Sequence, residues 1–298
     1  MLASVAAGDE AAQPPCDAHP LFPPVGGRCL AVRVTGYDPE FLPVDVPLPA
    51  PVDPRPLRDL GYQHFTVLLD PVRRLAAATA VNIDGDLLVD VGRGDDWHFD
   101  DRVPESEQCG NELYRSNDLD RGHLVRRRDP VWGARELAER ANVDSFAYTN
   151  AAPQAAGFNQ SGELWLGLED HVLAYAEQHR HRVSVFTGPV LAEGDPEYRG
   201  VLIPQEFWKV AVWSTASGIA AAGFLLDQRP ALEPILTALP VPPPLEPFRT
   251  FQVPVSDVAA AAGLDFGPLV EVDVLALRGV RPGQPPRRLR SVEDLELG

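Results

Sequence analysis

The chain has 298 residues, of which 45% are hydrophobic and 23% are charged, so it can bury a large core in one or two domains. No run of about 18 apolar residues occurs, so we expect no membrane-spanning helix and no membrane partner. The formal net charge is −17, which disfavours a polyanionic partner unless cations are concentrated locally.

The N-terminal end of the chain is rich in proline, alanine and glycine. Residues 1–56 include a proline-rich run from Pro43 to Pro56, so we expect an arm with little regular structure. Met1 to Gln13 lack a basic start, which disfavours a secretory signal. A cytoplasmic location is therefore favoured over secretion.

The three cysteines do not predict a cross-linked or zinc-binding protein. Cys16, Cys29 and Cys109 are an odd number without CxxC spacing, so neither a zinc site nor a disulfide framework is indicated. Free thiols are the favoured interpretation, and a Cys16–Cys29 bridge is left open.

From Gly61 onward, short apolar segments typical of strands appear. Phe65–Leu69 alternate in polarity, and Leu75–Ile83 follow the turn at Asp70-Pro71, which predicts a hairpin. Further segments with strand character are Leu87–Val91, Asp144–Thr149, Val183–Thr187, Phe207–Trp213 and Gly218–Leu226.

Three segments favour helix. Pro130–Arg140 and Gly162–Gln178 have helical spacing, and the second is amphipathic and expected to pack on the sheet. Val255–Ala262 predict a short helix. Because strands outnumber the intervening helices, the pattern indicates an α+β fold and not a doubly wound sheet.

We expect three parts along the chain. A proline-rich arm covers residues 1–56, one domain covers residues 57–279, and a mobile tail with three further prolines covers residues 280–298. No internal repeat is visible.

One tetrapeptide combines groups that phosphodiester hydrolysis needs. Asp120-Arg121-Gly122-His123 brings together a carboxylate, a guanidinium that can fork onto phosphate oxygens, and an imidazole whose unperturbed pKa is about 6.5. The stretch from Arg121 to Arg140 is the most basic in the chain. The alternative is a surface Asp120–Arg121 pair beside a structural histidine, and the tetrapeptide alone does not choose between them.

Further motifs follow in order. Thr149–Gln154 has the sequence Thr-Asn-Ala-Ala-Pro-Gln, and Phe158-Asn159-Gln160, Trp165 and Leu168-Glu169-Asp170 come after it. With the tetrapeptide, this order resembles the DNA/RNA non-specific endonuclease family, over residues 60–270. The resemblance implies a ββα-metal fold with a central, mostly antiparallel sheet flanked by helices.

The resemblance also implies a catalytic centre. Carried over by motif, His123 is the general base and Asn159 is the ligand to one Mg²⁺ or Mn²⁺ that keeps most of its water. An amide oxygen suits such a hard cation, whereas zinc prefers several His or Cys ligands.

Four other residues receive roles from the same resemblance. Arg121 would bind the scissile phosphate, Glu169 would orient metal-bound water, and Asp120 would position the loop. Arg93 lies where the family places an arginine that stabilises the transition state.

DNA and RNA are the substrates that the resemblance implies, together with a homodimer. Two alternatives are kept, namely a phosphodiesterase acting on small nucleotides and a nucleic-acid-binding protein without turnover. The His179–His181 pair lies at a predicted helix end, where cations suit the helix dipole, so a structural role is favoured over a metal site.

Overall fold

A computed structural model of the protein describes residues 36–156, 165–237 and 249–297. Within these ranges the main feature is an eight-stranded sheet. The strands are β1 (Ala50–Pro51), β2 (Arg58–Tyr62), β3 (Phe65–Asp70), β4 (Leu75–Asp84), β5 (Leu119–His123), β6 (Ala151–Ala155), β7 (Arg182–Pro189), β8 (Glu197–Tyr198), β9 (Val201–Leu202), β10 (Glu206–Thr215), β11 (Gly218–Asp227), β12 (Arg249–Val253), β13 (Leu264–Asp265) and β14 (Arg287–Leu289). The helices are α1 (Asn111–Tyr114), α2 (Arg135–Asp144), α3 (Trp165–His179), α4 (Arg229–Thr237), α5 (Val255–Ala262) and α6 (Val274–Leu277).

The large sheet is antiparallel throughout. Its strand order is β14-β12-β11-β10-β7-β4-β3-β2, and every neighbouring pair runs in opposite directions. The predicted α+β class with a mostly antiparallel sheet is therefore confirmed.

Side chains alternate between the two faces of this sheet, as the period of two in a strand requires. One face, here called the site face, carries Val185, Phe207 and Ala211 and packs against Leu173 and Ala176 of α3. The amphipathic face of α3 is thus buried on the sheet, as the sequence predicted.

The opposite face, here called the back face, has its own core. Phe186, Trp208 and Val210 of the central strands pack there against Val255 and Val258 of α5. Since Trp208 is fully buried, it contributes to packing and is not available to stack on a nucleobase.

The motif strands form a small separate ribbon beside the site face. β5 pairs antiparallel with β6, from Leu119 opposite Ala155 to His123 opposite Ala151. Leu119 and Ala155 belong to the site-face core. Along the chain, β5 is followed by α2, then by β6 and then by α3.

Two strand predictions were wrong. Leu87–Val91 makes only an isolated bridge between Leu88 and Trp132 among the described residues. Asp144–Thr149 begins as the last turn of α2 and continues into a short 3₁₀ turn, because its backbone pairs with the loop at His98 and not with a strand of the sheet.

The helix predicted at Pro130–Arg140 lies further along the chain. Gly133 adopts a positive φ of 86°, a conformation that glycine tolerates without steric penalty, and the helix α2 starts two residues later at Arg135.

Both predicted end segments take part in packing where the structure describes them. Tyr37, Phe41 and Val46 fall within the expected arm and lie in a segment with little regular structure. They are nevertheless buried in the back-face core. At the other end, Arg287–Leu289 of the expected tail form the edge strand β14. The packed unit thus reaches beyond residues 57–279 on both sides.

Candidate active site

Asp120–His123 lie on β5, and the strand geometry separates their side chains. Arg121 and His123 are two residues apart and therefore project to the same side, whereas Asp120 and Gly122 project to the other. Gly122 is required by the neighbouring strand, since a Cβ atom at this position would lie 2.0 Å from the Gln154 side chain. The glycine of the first motif and the glutamine of the second thus fit one another.

Asn150 fixes the backbone that follows His123. Its side chain is fully buried, its Oδ1 accepts from the Val125 amide at 2.8 Å, and its Nδ2 donates to the carbonyls of Val125 and Ser145, each at 2.9 Å. In addition, the Asn150 carbonyl accepts from Leu124 N. Asn150 therefore has a structural role, since both atoms of its amide are committed to the backbone.

His123 lies between two aromatic rings. Its ring centroid is 4.7 Å from that of Trp97 and 5.0 Å from that of Phe146, which meets it edge-on. The Nε2 atom is buried and has no hydrogen-bond partner within the described part of the chain. In a neutral imidazole, a ring nitrogen without a hydrogen-bond partner can still accept a proton.

Positive charge surrounds this imidazole. Burial and, to a smaller extent, the guanidinium groups of Arg93, Arg127 and Arg121 together lower the pKa of His123 to about 3. A cation placed among other cations is disfavoured, so His123 is neutral at physiological pH.

The arginines differ in how firmly they are held. Arg121 lies over the ring of Trp97, with its guanidinium carbon 5.6 Å from the centroid, and donates to Asn111 Oδ1 at 3.2 Å. Arg127 donates to Asn142 Oδ1 at 3.0 Å. Arg93 is exposed and forms no ion pair with any described residue. Within the described part of the chain, the charged groups that act on the His123 imidazole are these three guanidinium groups, so the surroundings of the ring are positive.

Glu169 is placed on α3 and contacts the sheet. Its Oε1 lies 3.3 Å from Nζ of Lys209 on β10, and both side chains are largely buried. The next residue, Asp170, forms an ion pair with Arg126, which follows His123 by three positions. The structure therefore brings His123, Arg121 and Arg93 together and places Glu169 in a neighbouring charged cluster.

The predicted metal ligand, Asn159, lies outside the described residues. Across the described ranges, no group of three His, Cys, Asp or Glu side chains is arranged to hold a metal ion. Of the residues predicted for the metal site, the structure describes Glu169, whose carboxylate oxygens suit a hard cation bound mostly through water and not a zinc ion in a His/Cys cage.

Two contacts of the site were not predicted from the sequence. Trp97 contacts both His123 and Arg121, and Lys209 pairs with Glu169. The two residues are separated from their partners by more than twenty positions. In the sequence, Trp97 follows Arg93 by four positions and Lys209 lies within the predicted strand Phe207–Trp213, but neither position identifies the partner.

The other histidines and cysteines lie apart from this centre or outside the described chain. His179 and His181 lie at the C-terminal end of α3 with ring centroids 5.9 Å apart. Cys109 is buried as a free thiol, and burial raises its pKa to about 12. Cys16 and Cys29 lie outside the described residues. No described helix is long and apolar enough to cross a membrane.

Comparison with known proteins identifies the family. The family model of DNA/RNA non-specific endonucleases matches residues 48–273, and the chain belongs to this family. The match includes β5, β6 and α3, so the residues described above lie within the family region.

Individual relatives agree with this placement. The chain is 40% identical over 285 residues to the uncharacterized protein y4fB of Sinorhizobium fredii, covering 88% of this chain and 42% of that protein. It is 27% identical over 201 residues to mitochondrial endonuclease G of Bos taurus and of Homo sapiens, covering 63% of this chain and 61% of each enzyme. The chain thus spans less than two thirds of these relatives.

Among solved structures, the crystal structure of the EndoG/EndoGI complex resembles this fold with a TM-score of 0.54. The match has 20% sequence identity and covers 72% of this chain and 87% of that chain. At this level of identity, the likeness shows a shared fold.

Proposed function

We propose that the protein is an endonuclease that hydrolyses phosphodiester bonds of DNA and RNA with little sequence specificity. The observation that carries the proposal is the neutral imidazole of His123 among three arginines, in a chain whose net charge is −17. A cluster of arginine side chains on an otherwise acidic protein is suited to bind a phosphate backbone. Such contacts do not read base identity.

In this proposal His123 takes a proton from the attacking water. Arg121, held over Trp97, binds the non-bridging oxygens of the scissile phosphate, and Arg93 stabilises the charge that grows on them. Asp120 projects away from His123 and Arg121 and would help to position the loop.

A divalent cation belongs to the proposed centre, since members of this family are divalent-metal-dependent nucleases. Asn159 would hold the ion, and Glu169 would orient water bound to it. When bound, Mg²⁺ or Mn²⁺ supplies positive charge at the phosphate and the leaving oxygen. Asn150 is not a candidate ligand, because its amide is bonded to Val125 and Ser145.

The two alternatives to the endonuclease differ in the catalytic groups that they need. A phosphodiesterase acting on small nucleotides needs the same base and cation, whereas a binding protein without turnover needs neither. Arg93 is exposed, which favours a polymer that can reach it from the surface, because a small nucleotide is better held by a closed pocket.

The test is a comparison of substrates. Supercoiled plasmid, a structured RNA and a cyclic dinucleotide should be incubated with the purified chain in Mg²⁺ and, in parallel, in excess EDTA. We expect internal cleavage of the plasmid and the RNA in Mg²⁺ and none in EDTA. Cleavage of the cyclic dinucleotide alone would favour the phosphodiesterase, and binding of nucleic acid without cleavage would favour the binding protein.

A further inference from the structure

The chain contains one lysine among its 26 basic residues, and the other 25 are arginine. That lysine, Lys209, is buried in β10 with 2% of its side chain exposed. A buried ammonium group loses its hydration and remains charged only where acceptors and a counter-charge replace the water. The placement of the lone lysine in the interior, beside the candidate site, therefore requires an explanation.

Threonines of the neighbouring strands hold the ammonium group of Lys209 on the side of the sheet. Lys209 lies opposite Thr187 of β7, which in turn lies opposite Thr79 of β4. Nζ donates to Thr187 Oγ1 at 2.9 Å, and Thr79 Oγ1 donates to the Thr187 carbonyl, also at 2.9 Å. These bonds join three adjacent central strands, so the middle of the eight-stranded sheet fixes the position of Nζ.

On the helix side, the ammonium group faces Glu169. The Nζ–Oε1 distance is 3.3 Å, and the Glu169 side chain is 10% exposed. The neighbouring acid, Asp170, is held by Arg126 from the loop after His123. Two consecutive acids of α3 are thus paired with cations from two different elements. Lys209 belongs to the sheet, and Arg126 belongs to the loop that follows His123.

We infer that Lys209 is a positioning residue, which sets the Glu169 carboxylate, and with it the start of α3, in place toward the divalent cation. The inference rests on the proposed function only in taking Glu169 to orient water on that cation. An ammonium group is compact and directs three donors in different directions, whereas a guanidinium is planar and larger. This difference explains a lysine between Thr187 and Glu169 in a chain that uses arginine elsewhere.

The lone lysine allows a direct measurement on the unaltered protein. In a sample labelled with ¹³C-lysine, the ε-methylene of Lys209 gives a single signal. We expect Mg²⁺ to shift this signal with the same midpoint as calorimetric Mg²⁺ binding, and Asn159→Ala to abolish the shift. Mg²⁺ binding that leaves the signal unmoved would overturn the inference, as would the absence of any Mg²⁺ binding.

Variants separate positioning from simple structural support. We expect Lys209→Met to weaken Mg²⁺ binding about 10-fold or more, as removal of an outer-shell partner of a metal site does, and Lys209→Arg to recover part of the loss. In Glu169→Gln, adding Lys209→Met should have little further effect, because the two residues act as one unit. Fully additive effects would contradict the proposal.

A matched control removes another buried polar side chain from the same sheet. Gln252 on β12 is 1% exposed and bonds to the backbone of Glu296, so Gln252→Met should destabilise the fold without changing Mg²⁺ affinity. An equal loss of affinity in this control would assign the effect to stability.

If Lys209→Met does not fold, the titration of the unaltered protein decides. A protein that binds Mg²⁺ with the expected lysine shift but cleaves nothing would refute the proposed nuclease activity and leave the role of Lys209 intact.

Discussion

At His123, burial and neighbouring positive charge shift the pKa in the same direction. Burial lowers it, and the arginines around the ring lower it further, to about 3, compared with about 6.5 for a free imidazole. We therefore expect the acid limb of kcat/KM to lie well below pH 6.5, since the base remains neutral there. A pH–rate profile at saturating Mg²⁺ measures this limb, and a midpoint near 6.5 would show that His123 is not held in these surroundings.

The same shift has a consequence for stability. Because the folded-state pKa of His123 is below the unfolded value, the unfolded chain binds more protons between pH 6.5 and about 3. Stability contributed at this site is therefore present above pH 6.5 and is lost as the pH falls through that window. The buried carboxyl of Asp129, whose pKa burial raises to about 7, acts in the opposite direction. Comparing melting curves of the parent and His123→Ala at several pH values isolates the histidine.

Arg121 should act mainly through the phosphate. We expect Arg121→Ala to weaken cleavage and to lower the slope of log affinity against log salt by about one, the change expected for one lost phosphate contact. Arg93→Ala should lower turnover as well. Arg278, which pairs with Glu296 in the C-terminal segment, supplies a control arginine. An Arg121 variant with parent turnover and parent salt dependence would remove this residue from the site.

At the scale of elements, the two asparagines of the motifs, Asn150 and Asn159, should have different roles that a titration can distinguish. Asn159 lies between β6 and α3, outside the described residues, and Asn159→Ala should abolish Mg²⁺ binding and activity, as EDTA does. Mg²⁺ or Mn²⁺, but not zinc alone, should restore the chelated parent. Asn150→Ala should instead destabilise the fold by about 1–3 kcal/mol, because it leaves buried backbone groups without partners.

Calorimetry with Mg²⁺ on both alanine variants is the deciding measurement. If Asn159 serves only as a helix cap, its variant loses about 1 kcal/mol of stability and binds Mg²⁺ like the parent. That result, or loss of Mg²⁺ binding confined to Asn150→Ala, would contradict the assignment of the metal ligand.

The elements that the sequence predicted well are those with a clear apolar period. Phe65–Leu69, Phe207–Trp213 and Gly218–Leu226 lie within β3, β10 and β11, because their side chains alternate between two cores. The motif strands β5 and β6 were not predicted, since Asp120–His123 are mostly polar and Pro153 lacks an amide hydrogen. Their pairing depends on packing against the site face and on the fit of Gln154 to Gly122, which propensity does not contain.

At the scale of the whole molecule, the distribution of charge matters more than its sum. The chain carries 43 acidic residues against 26 basic ones, yet the groups that perturb His123 are all arginines. Motif order was sufficient to assign His123 and Arg121 to one candidate site, although not to predict the strand that carries them. It could not predict the contacts of Trp97 or Lys209, because these depend on how distant segments meet in the folded chain.

The central claim is that His123 is the general base of a phosphodiester hydrolase, and one substitution tests it most directly. His123→Ala removes the proton acceptor, so plasmid cleavage in Mg²⁺ should fall by a factor on the order of 100 or more, while the melting temperature and nucleic-acid binding stay close to those of the parent. His179→Ala, which removes an exposed histidine at the end of α3, serves as the matched control and should cleave normally. Cleavage by a folded His123→Ala variant at close to the parent rate would contradict the account.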